Sequence, residues 1–221
     1  MKRHNFTLIE LFVVICFLGA SAGLFMPALS NARERARASY CVSNLKYIII
    51  TEMSYADDNS DYRVTPTGFT GEYIGNNIDP VGTQTIKKDR FYGNYPASKL
   101  ILLGYTGNFG ILSEESKKMF KCPSDESYSA NNVRISYYDA VFSEDKPQAK
   151  ARHNLNKVQK PGNLAAWFDQ HEQLGNAFSN HVQTVNIAYM DGHVMTKQLP
   201  VGKVYSIKSQ EADGWSILDD K

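Results

Sequence analysis

The chain has 221 residues, with 24 Lys or Arg against 23 Asp or Glu, so its formal net charge is +1 at neutral pH. With charges so balanced, the chain has no overall positive potential that would attract nucleic acid or another acidic polymer. This argues against a nucleic-acid partner. Beyond an N-terminal apolar segment, the remaining length fits one head domain that buries its own core.

The N-terminal segment is an apolar run long enough to cross a bilayer. No charged residue occurs from Leu11 to Leu29, and a helix of roughly 20 apolar residues spans the ~30 Å hydrocarbon layer. Lys2 and Arg3 precede the run, and Ala20-Ser21-Ala22 offers a small-x-small cleavage site. Because a signal peptide has an apolar core of only about 7–15 residues, a retained membrane helix is favoured.

Glu10 is the residue that a plain membrane anchor does not explain. A carboxylate costs on the order of 2.5–3.5 kcal/mol at the bilayer centre, and less near the interface, unless a partner compensates it. The spacing of Thr7 and Glu10 is that of a capping box, which would supply a local partner. If the chain were cut before Phe6, the new amine of one subunit could instead neutralise Glu10 of the next. The residues alone leave both partners open.

The string Phe6-Thr7-Leu8-Ile9-Glu10-Leu11, with a basic leader before it and an apolar helix after it, resembles the class III signal of type IV pilins and type II secretion pseudopilins. The resemblance implies that a prepilin peptidase cuts between Asn5 and Phe6 and methylates the new amine. It also implies that Glu10, the fifth mature residue, guides docking, and that the helix bends at Pro27. Asn5 departs from the glycine that usually precedes the cut.

Further segments resemble a subfamily of bacterial pseudopilin-like proteins in which a C-terminal His-x9-Asp-Gly segment accompanies the prepilin signal. Here these segments are Cys41–Lys46, Tyr55–Asn59, Phe120–Asp125, and His181 with Asp191 and Gly192. The resemblance assigns no chemistry to the head. For His181, Asp191 and His193, turn chemistry and hydrogen-bonded strand ends are favoured over a metal site, since nothing in the sequence makes them converge.

An amphipathic continuation of the helix is predicted after Pro27. Apolar residues recur there at helical spacing: Ala28, Ala32, Ala36, Cys41, Leu45, Ile48 and Ile49. Asp, Asn and Ser between residues 57 and 61 favour a turn and end it. Asp57, Asn59 and Asp61 share the spacing of a calcium loop, but Tyr62 and Gly68 replace its Gly and closing Glu, so no metal is expected.

The C-terminal half carries the patterns of strands. Val133 to Phe142 and Leu164 to Phe168 are rich in β-branched and aromatic residues. Between Val185 and Thr196 apolar and polar residues alternate around Asp191-Gly192, which predicts a hairpin with positive φ at both turn positions.

These elements together predict an α+β, pilin-like fold. A long N-terminal helix, with a membrane half and an amphipathic half, lays its Cys41, Leu45 and Ile48 stripe on a C-terminal antiparallel β-sheet. The predicted divisions are a leader at 1–5, a transmembrane and assembly helix at 6–29, an amphipathic continuation at 30–62 and an exported head at 63–221.

The resemblance places the N-terminus in the cytoplasm and the head outside, and this bears on the cysteines. Cys41 and Cys122 would then lie in a compartment that permits a disulfide. A disulfide that closes the loop between these two cysteines would stabilise the folded head by roughly 4–5 kcal/mol in the chain-entropy model. Two free buried thiols are the alternative, and Cys16 is expected to pack as a small hydrophobe.

The predicted function is a prepilin-like structural subunit of a type IV pilus or type II secretion pseudopilus-like filament. It would be a single-pass inner-membrane protein before it joins a cell-surface or periplasmic filament. Its expected partners are the prepilin peptidase, copies of itself or related pilins, the membrane, and the secretion or pilus assembly machinery. No cofactor is expected. An enzyme is not expected either, because His153, Asp169 and His171 come without a nucleophile elbow, a His-Glu-x-x-His pair or a phosphate loop.

The alternative function is a membrane-anchored binding module for polysaccharide or another extracellular ligand. Aromatic side chains of the head would form its site. The candidates are Tyr73, Phe91, Tyr92, Tyr95, Tyr105, Trp167 and Trp215.

Overall fold

The computed structural model describes part of the chain. The described residues are 7–64, 73–77, 96–107, 118–125, 134–141, 154–173, 176–179, 181 and 184–198. Asn5 and Phe6, at the predicted cleavage site, lie outside the described residues, as do Phe91, Tyr92, Tyr95, His153 and Trp215.

Helix α1 runs over Leu8–Asp58 and contains Pro27. The chain divides into two compact units, Met1–Arg37 and Ala38–Lys221. In the first unit the large apolar side chains between residues 8 and 29 are 48–86% exposed. By length and composition, α1 is the one helix among the described residues that could cross a membrane.

The second unit contains a six-stranded antiparallel sheet with the order β1-β2-β3-β5-β6, in which β4 pairs with β3. A short helix and two 3₁₀ turns connect its parts. The elements are β1 Tyr73–Asn77, α2 Pro96–Leu102, β2 Arg134–Val141, the turns Leu155–Lys157 and Pro161–Asn163, β3 Ala165–Gln173, β4 Asn176–Ser179, β5 Thr184–Tyr189 and β6 Val194–Gln198.

The predicted strands and hairpin are confirmed by β2, β3, and the β5–β6 pair, in which Asn186 faces Thr196. The stretch from Arg63 to Pro96 is rich in Gly and Thr and has no lasting periodicity, which predicts a long irregular segment. That expectation is wrong at β1, whose residues pair with the outer edge of β2. Pairing along a neighbouring strand supplies the backbone hydrogen bonds, so an edge strand can form without a local pattern of its own.

The core lies between the C-terminal part of α1 and the sheet. Cys41, Leu45 and Ile48 are fully buried, and they belong to one cluster with Tyr137 of β2 and Trp167 of β3. The stripe predicted from helical spacing is therefore the face that covers the sheet. This arrangement confirms the predicted α+β fold.

The end of α1 is fixed by backbone geometry and by a contact with a distant segment. Ser60 and Asp61 have φ of 57° and 64°, and the Asp61 amide donates to the Ala56 carbonyl at 2.8 Å. The Asp61 carbonyl accepts from the Leu155 amide at 2.8 Å, and its carboxylate accepts from the Asn156 side chain. Asp61, one of the calcium-loop candidates, thus holds the segment that leads into β3.

Candidate functional site

The start of α1 carries the local cap that its sequence predicts. The Glu10 carboxylate accepts hydrogen bonds from the Thr7 amide at 2.9 Å and from the Thr7 hydroxyl at 2.8 Å. The Glu10 amide in turn donates to the Thr7 hydroxyl oxygen at 3.4 Å. These bonds form the reciprocal capping box. Docking of Glu10 to the amine of another subunit stays a prediction.

The head brings two cysteines and a histidine into one buried cluster. Cys41 comes from α1 and Cys122 from the segment 118–125, and both are free, buried thiols. The Sγ atoms of both cysteines and a ring nitrogen of His181 all lie within 4.8 Å of one another. The hydrogen bond with Cys41, together with burial, raises the pKa of Cys122 well above its ordinary value. The predicted disulfide between these cysteines stays a prediction, and the structure places their sulfurs side by side.

His181 joins this cluster to a carboxylate of the sheet. Its Nε2 lies 3.5 Å from Cys122 Sγ and 3.3 Å from Asp169 Oδ2, and it is 3% exposed. Asn186 holds Asp169 through its backbone amide and its side-chain amide, each at 2.6 Å. Burial raises the pKa of Asp169 above its ordinary value, against these hydrogen bonds and the contact with His181. We call Cys41, Cys122, Asp169 and His181 the thiol–imidazole cluster.

A tyrosine and an asparagine close the other side of this cluster. The Asn44 amide nitrogen donates to the Tyr137 hydroxyl at 3.1 Å and to the Lys121 carbonyl at 3.2 Å. Burial raises the pKa of Tyr137, and the neighbouring cysteines raise it further, so the Tyr137 hydroxyl stays protonated. Asn44 therefore fixes the loop that carries Cys122 onto α1.

The sequence names the members of this cluster in separate predictions. It predicts a disulfide between Cys41 and Cys122, places His181 in one segment with Asp191, and offers Asp169 only as a candidate catalytic group. The four residues come from segments that are distant in the chain, and no local period relates them. Only the order of the strands places Asp169 beside His181.

The Asp191-Gly192 part of the His-x9-Asp-Gly segment forms the hairpin tip. The Gly192 amide donates to the Tyr189 carbonyl, and the Tyr189 amide donates to the His193 carbonyl, each at 2.9 Å. Of the two residues Asp191 and Gly192, only Gly192 has a positive φ, of 86°. The expectation of a positive φ at Asp191 is therefore wrong. A type I turn followed by one left-handed glycine makes the same reversal of direction.

This tip packs against α1. Lys46 Nζ donates to the Gly192 carbonyl at 2.5 Å. A Cβ atom at Gly192 would lie 3.0 Å from Met53 Sδ, so any other residue would require the end of the Met53 side chain to move. The two ends of the His-x9-Asp-Gly segment thus lie at two separate places on α1: His181 beside Cys41, and Gly192 beside Lys46 and Met53.

Asp191 and His193 pair with each other and not with His181. Asp191 Oδ1 accepts from the His193 amide at 3.0 Å and lies 2.5 Å from His193 Nδ1. The partial burial of Asp191 acts to raise its pKa, but the hydrogen bonds from His193 outweigh it and lower that pKa. The His193 ring stacks on Tyr189 with centroids 4.4 Å apart. The structure therefore gives these residues a role in the turn.

We expect Gly192→Ala to lower the free energy of unfolding by about 1–2 kcal/mol, because a left-handed backbone is strained for alanine. The added methyl group must also displace Met53. Gly107→Ala is the matched control, since Gly107 has φ of 107° but no atom within 4 Å of an added Cβ. Urea unfolding of the full chain in detergent measures both. A smaller loss for Gly192→Ala than for the control would contradict the close packing of the tip.

A second buried cluster ties the end of α1 to the sheet, and we call it the arginine cluster. Arg63 Nη2 lies 2.8 Å from Glu52 Oε2 and 2.9 Å from Asp139 Oδ1, and all three side chains are at most 2% exposed. Trp167 Nε1 donates to Glu52 Oε2 at 2.8 Å. Burial acts to lower the pKa of Arg63, but the two carboxylates outweigh it and raise that pKa.

Of the aromatic residues proposed as a ligand site, Tyr105 and Trp167 are the two whose side chains the structure describes. Trp167 is 1% exposed and packs beside Phe120, so its assignment to an open binding site is wrong. Tyr105 packs edge-to-face on Tyr55 at 5.4 Å and donates its hydroxyl to Asp58 at 2.8 Å. These contacts explain both residues by packing.

Part of this chain is similar to type II secretion system core protein G. The protein of that name from Dickeya chrysanthemi is 30% identical over 95 residues, which are 43% of this chain and 61% of the relative. The protein of that name from Klebsiella pneumoniae is 37% identical over 67 residues, which are 30% of this chain and 48% of the relative. The chain thus spans about half to three fifths of the length of these relatives.

No protein-family model matches the chain, and no solved structure matches it. The similarity to core protein G is partial, and it agrees with the apolar helix at the start of the chain and with the pilin-like α+β fold. Together these findings support a pilin-like, secretion-associated protein.

Proposed function

We propose that this chain is a prepilin-like structural subunit that is cleaved before Phe6 and assembles into a filament. The supporting observation is the apolar surface of α1, where side chains such as Leu8, Phe17 and Leu24 are 73–86% exposed. An exposed apolar surface of this length needs lipid or neighbouring apolar helices to cover it. A bilayer covers it before assembly, and the helices of other subunits cover it afterwards.

Between the two kinds of filament, the similarity to core protein G favours a type II secretion pseudopilus over a type IV pilus. The proposed partners follow from the same reading: the prepilin peptidase, copies of the chain or related pilins, and the secretion machinery. The subunit would have its N-terminus in the cytoplasm and its head outside. It would act by assembly and not as an enzyme.

The Thr7–Glu10 cap does not oppose this proposal. Hydrogen bonds from Thr7 satisfy the Glu10 carboxylate in the isolated helix, which lowers the cost of a charge at the edge of the membrane. In the filament the mature amine of a neighbouring subunit would meet the Glu10 carboxylate. This ion pair would add to the hydrogen bonds from Thr7 and would not require their loss.

The start of the mature chain tests the proposal. We expect mass spectrometry of protein from a host with a prepilin peptidase to show a chain that begins at methylated Phe6. The same gene in a host without the peptidase should yield a chain that retains Asn5. A mature chain that begins at Met1 in both hosts, or directly after Ala22, would overturn the proposed class.

A further inference from the structure

We propose that the thiol–imidazole cluster is a binding site for one zinc ion, with Cys41, Cys122, His181 and Asp169 as its ligands. This inference concerns the head alone and does not depend on filament assembly. Thiolate sulfur and imidazole nitrogen, with a carboxylate oxygen, are the donors that tetrahedral zinc takes in proteins.

The distances from His181 to Cys122 and to Asp169 fit a zinc site. Zinc lies about 2.3 Å from thiolate sulfur and about 2.0–2.2 Å from nitrogen or oxygen, so tetrahedral neighbours are about 3.3–3.8 Å apart. His181 Nε2 is 3.5 Å from Cys122 Sγ and 3.3 Å from Asp169 Oδ2. Cys41 Sγ lies within 4.8 Å of both Cys122 Sγ and the imidazole.

Asp169 completes the donor set. To bind zinc, His181 Nε2 must present a lone pair, and Asp169 Oδ2 would then face that lone pair across 3.3 Å. A cation that contacts both atoms removes this repulsion. The two hydrogen bonds from Asn186 orient the Asp169 carboxylate, as outer partners of metal ligands commonly do.

Burial assigns the site a structural role. Cys41, Cys122 and Asp169 are fully buried and His181 is 3% exposed, so no open position faces solvent for a substrate. Four protein ligands without an open position are typical of structural zinc. The ligands come from α1, the segment 118–125, β3 and His181, which lies three residues before β5, so one ion would join the helix to the sheet.

Zinc and the predicted disulfide exclude each other, because both use the sulfurs of Cys41 and Cys122. A disulfide would use only the two sulfurs, whereas zinc would use all four groups. Zinc binding would displace the two thiol protons and make the affinity rise with pH. Whether Cys41 and Cys122 form a disulfide in the native protein therefore decides between the zinc site and the disulfide.

The test uses the full chain, purified in detergent under reducing conditions without a chelator. We expect elemental analysis to find about one zinc ion per chain. Replacement by Co²⁺ should give the visible absorption of tetrahedral cobalt together with thiolate-to-cobalt charge transfer. This measurement uses the unchanged protein, so it does not depend on whether a variant folds.

Variants with matched controls locate the ion. Cys122→Ser and His181→Asn should each weaken zinc binding at least about tenfold. Cys16→Ser and His193→Asn should leave it unchanged, because Cys16 is an exposed thiol in the first unit and His193 lies in the hairpin tip. A chain without zinc that also fails to bind added Zn²⁺ or Co²⁺ would overturn the proposal. A Cys41–Cys122 disulfide in peptide mapping of the native, unreduced protein would overturn it as well.

Discussion

Replacing Arg63 by methionine should lower the free energy of unfolding by about 3–5 kcal/mol, because it removes the cation that lies between two buried carboxylates. Glu52 and Asp139 both contact the same Arg63 nitrogen, so they lie close together in an environment with little solvent. Without Arg63 between them, their like charges would repel each other in surroundings that screen charge weakly. The Trp167 indole would keep its acceptor on Glu52 but lose the fixed position of that acceptor.

Urea unfolding of the full chain in detergent, followed by tryptophan fluorescence, measures this loss. Lys157→Met is the matched control, since it removes an exposed cation near the same region and should change the free energy by less than about 0.5 kcal/mol. The combined variant Glu52→Gln, Arg63→Met and Asp139→Asn should recover part of the loss, because it removes the whole buried charge set. If the combined variant were less stable than Arg63→Met alone, unpaired charge would not be the cause.

Replacing Glu10 by glutamine should reduce recovery in filaments roughly tenfold or more, if the docking pair contributes at least about 1.4 kcal/mol per subunit contact. Glutamine keeps a side-chain oxygen that can accept from the Thr7 amide and hydroxyl, so much of the cap remains. It removes the charge that would attract the mature amine. The variant should therefore be cleaved and held in the membrane, yet enter filaments poorly.

Thr7→Ala separates docking from capping. It removes the hydroxyl that donates to Glu10 at 2.8 Å but keeps the carboxylate and the backbone amide. The local cost is about 0.5–2 kcal/mol of helix stability. Docking predicts that Thr7→Ala assembles better than Glu10→Gln, whereas capping alone predicts the opposite order. Sheared filaments compared with the membrane fraction, at equal expression, give the measurement.

The local patterns of the sequence predicted the elements that depend on neighbours in the chain. Helical spacing of Cys41, Leu45 and Ile48 identified the buried face of α1, because residues three and four apart share one side of a helix. Alternation of apolar and polar residues around Asp191-Gly192 identified the β5–β6 hairpin, because successive residues of a strand point to opposite faces of the sheet. The Thr7–Glu10 spacing likewise indicated the cap that the structure contains.

Other features depend on strand order and could not be read from spacing. β1 lacks a pattern of its own, and its pairing with β2 defines it. Trp167 looked like one of several aromatic ligand contacts, but its place in a central strand buries it against Phe120 and Glu52. A strand pattern alone does not tell which face of the sheet a helix will cover.

The apolar N-terminal helix with a carboxylate at its start, its amphipathic continuation and the C-terminal hairpin are predictable from the chain, because each depends on residues a few positions apart. The contacts of His181 with Cys41, Cys122 and Asp169, and those of Arg63 with Glu52 and Asp139, arise only when the chain folds. These groups lie on different elements, and the antiparallel order of the strands and the packing of α1 set their distances. Buried polar side chains form hydrogen bonds or ion pairs, because a buried polar group without one would lower the stability of the fold.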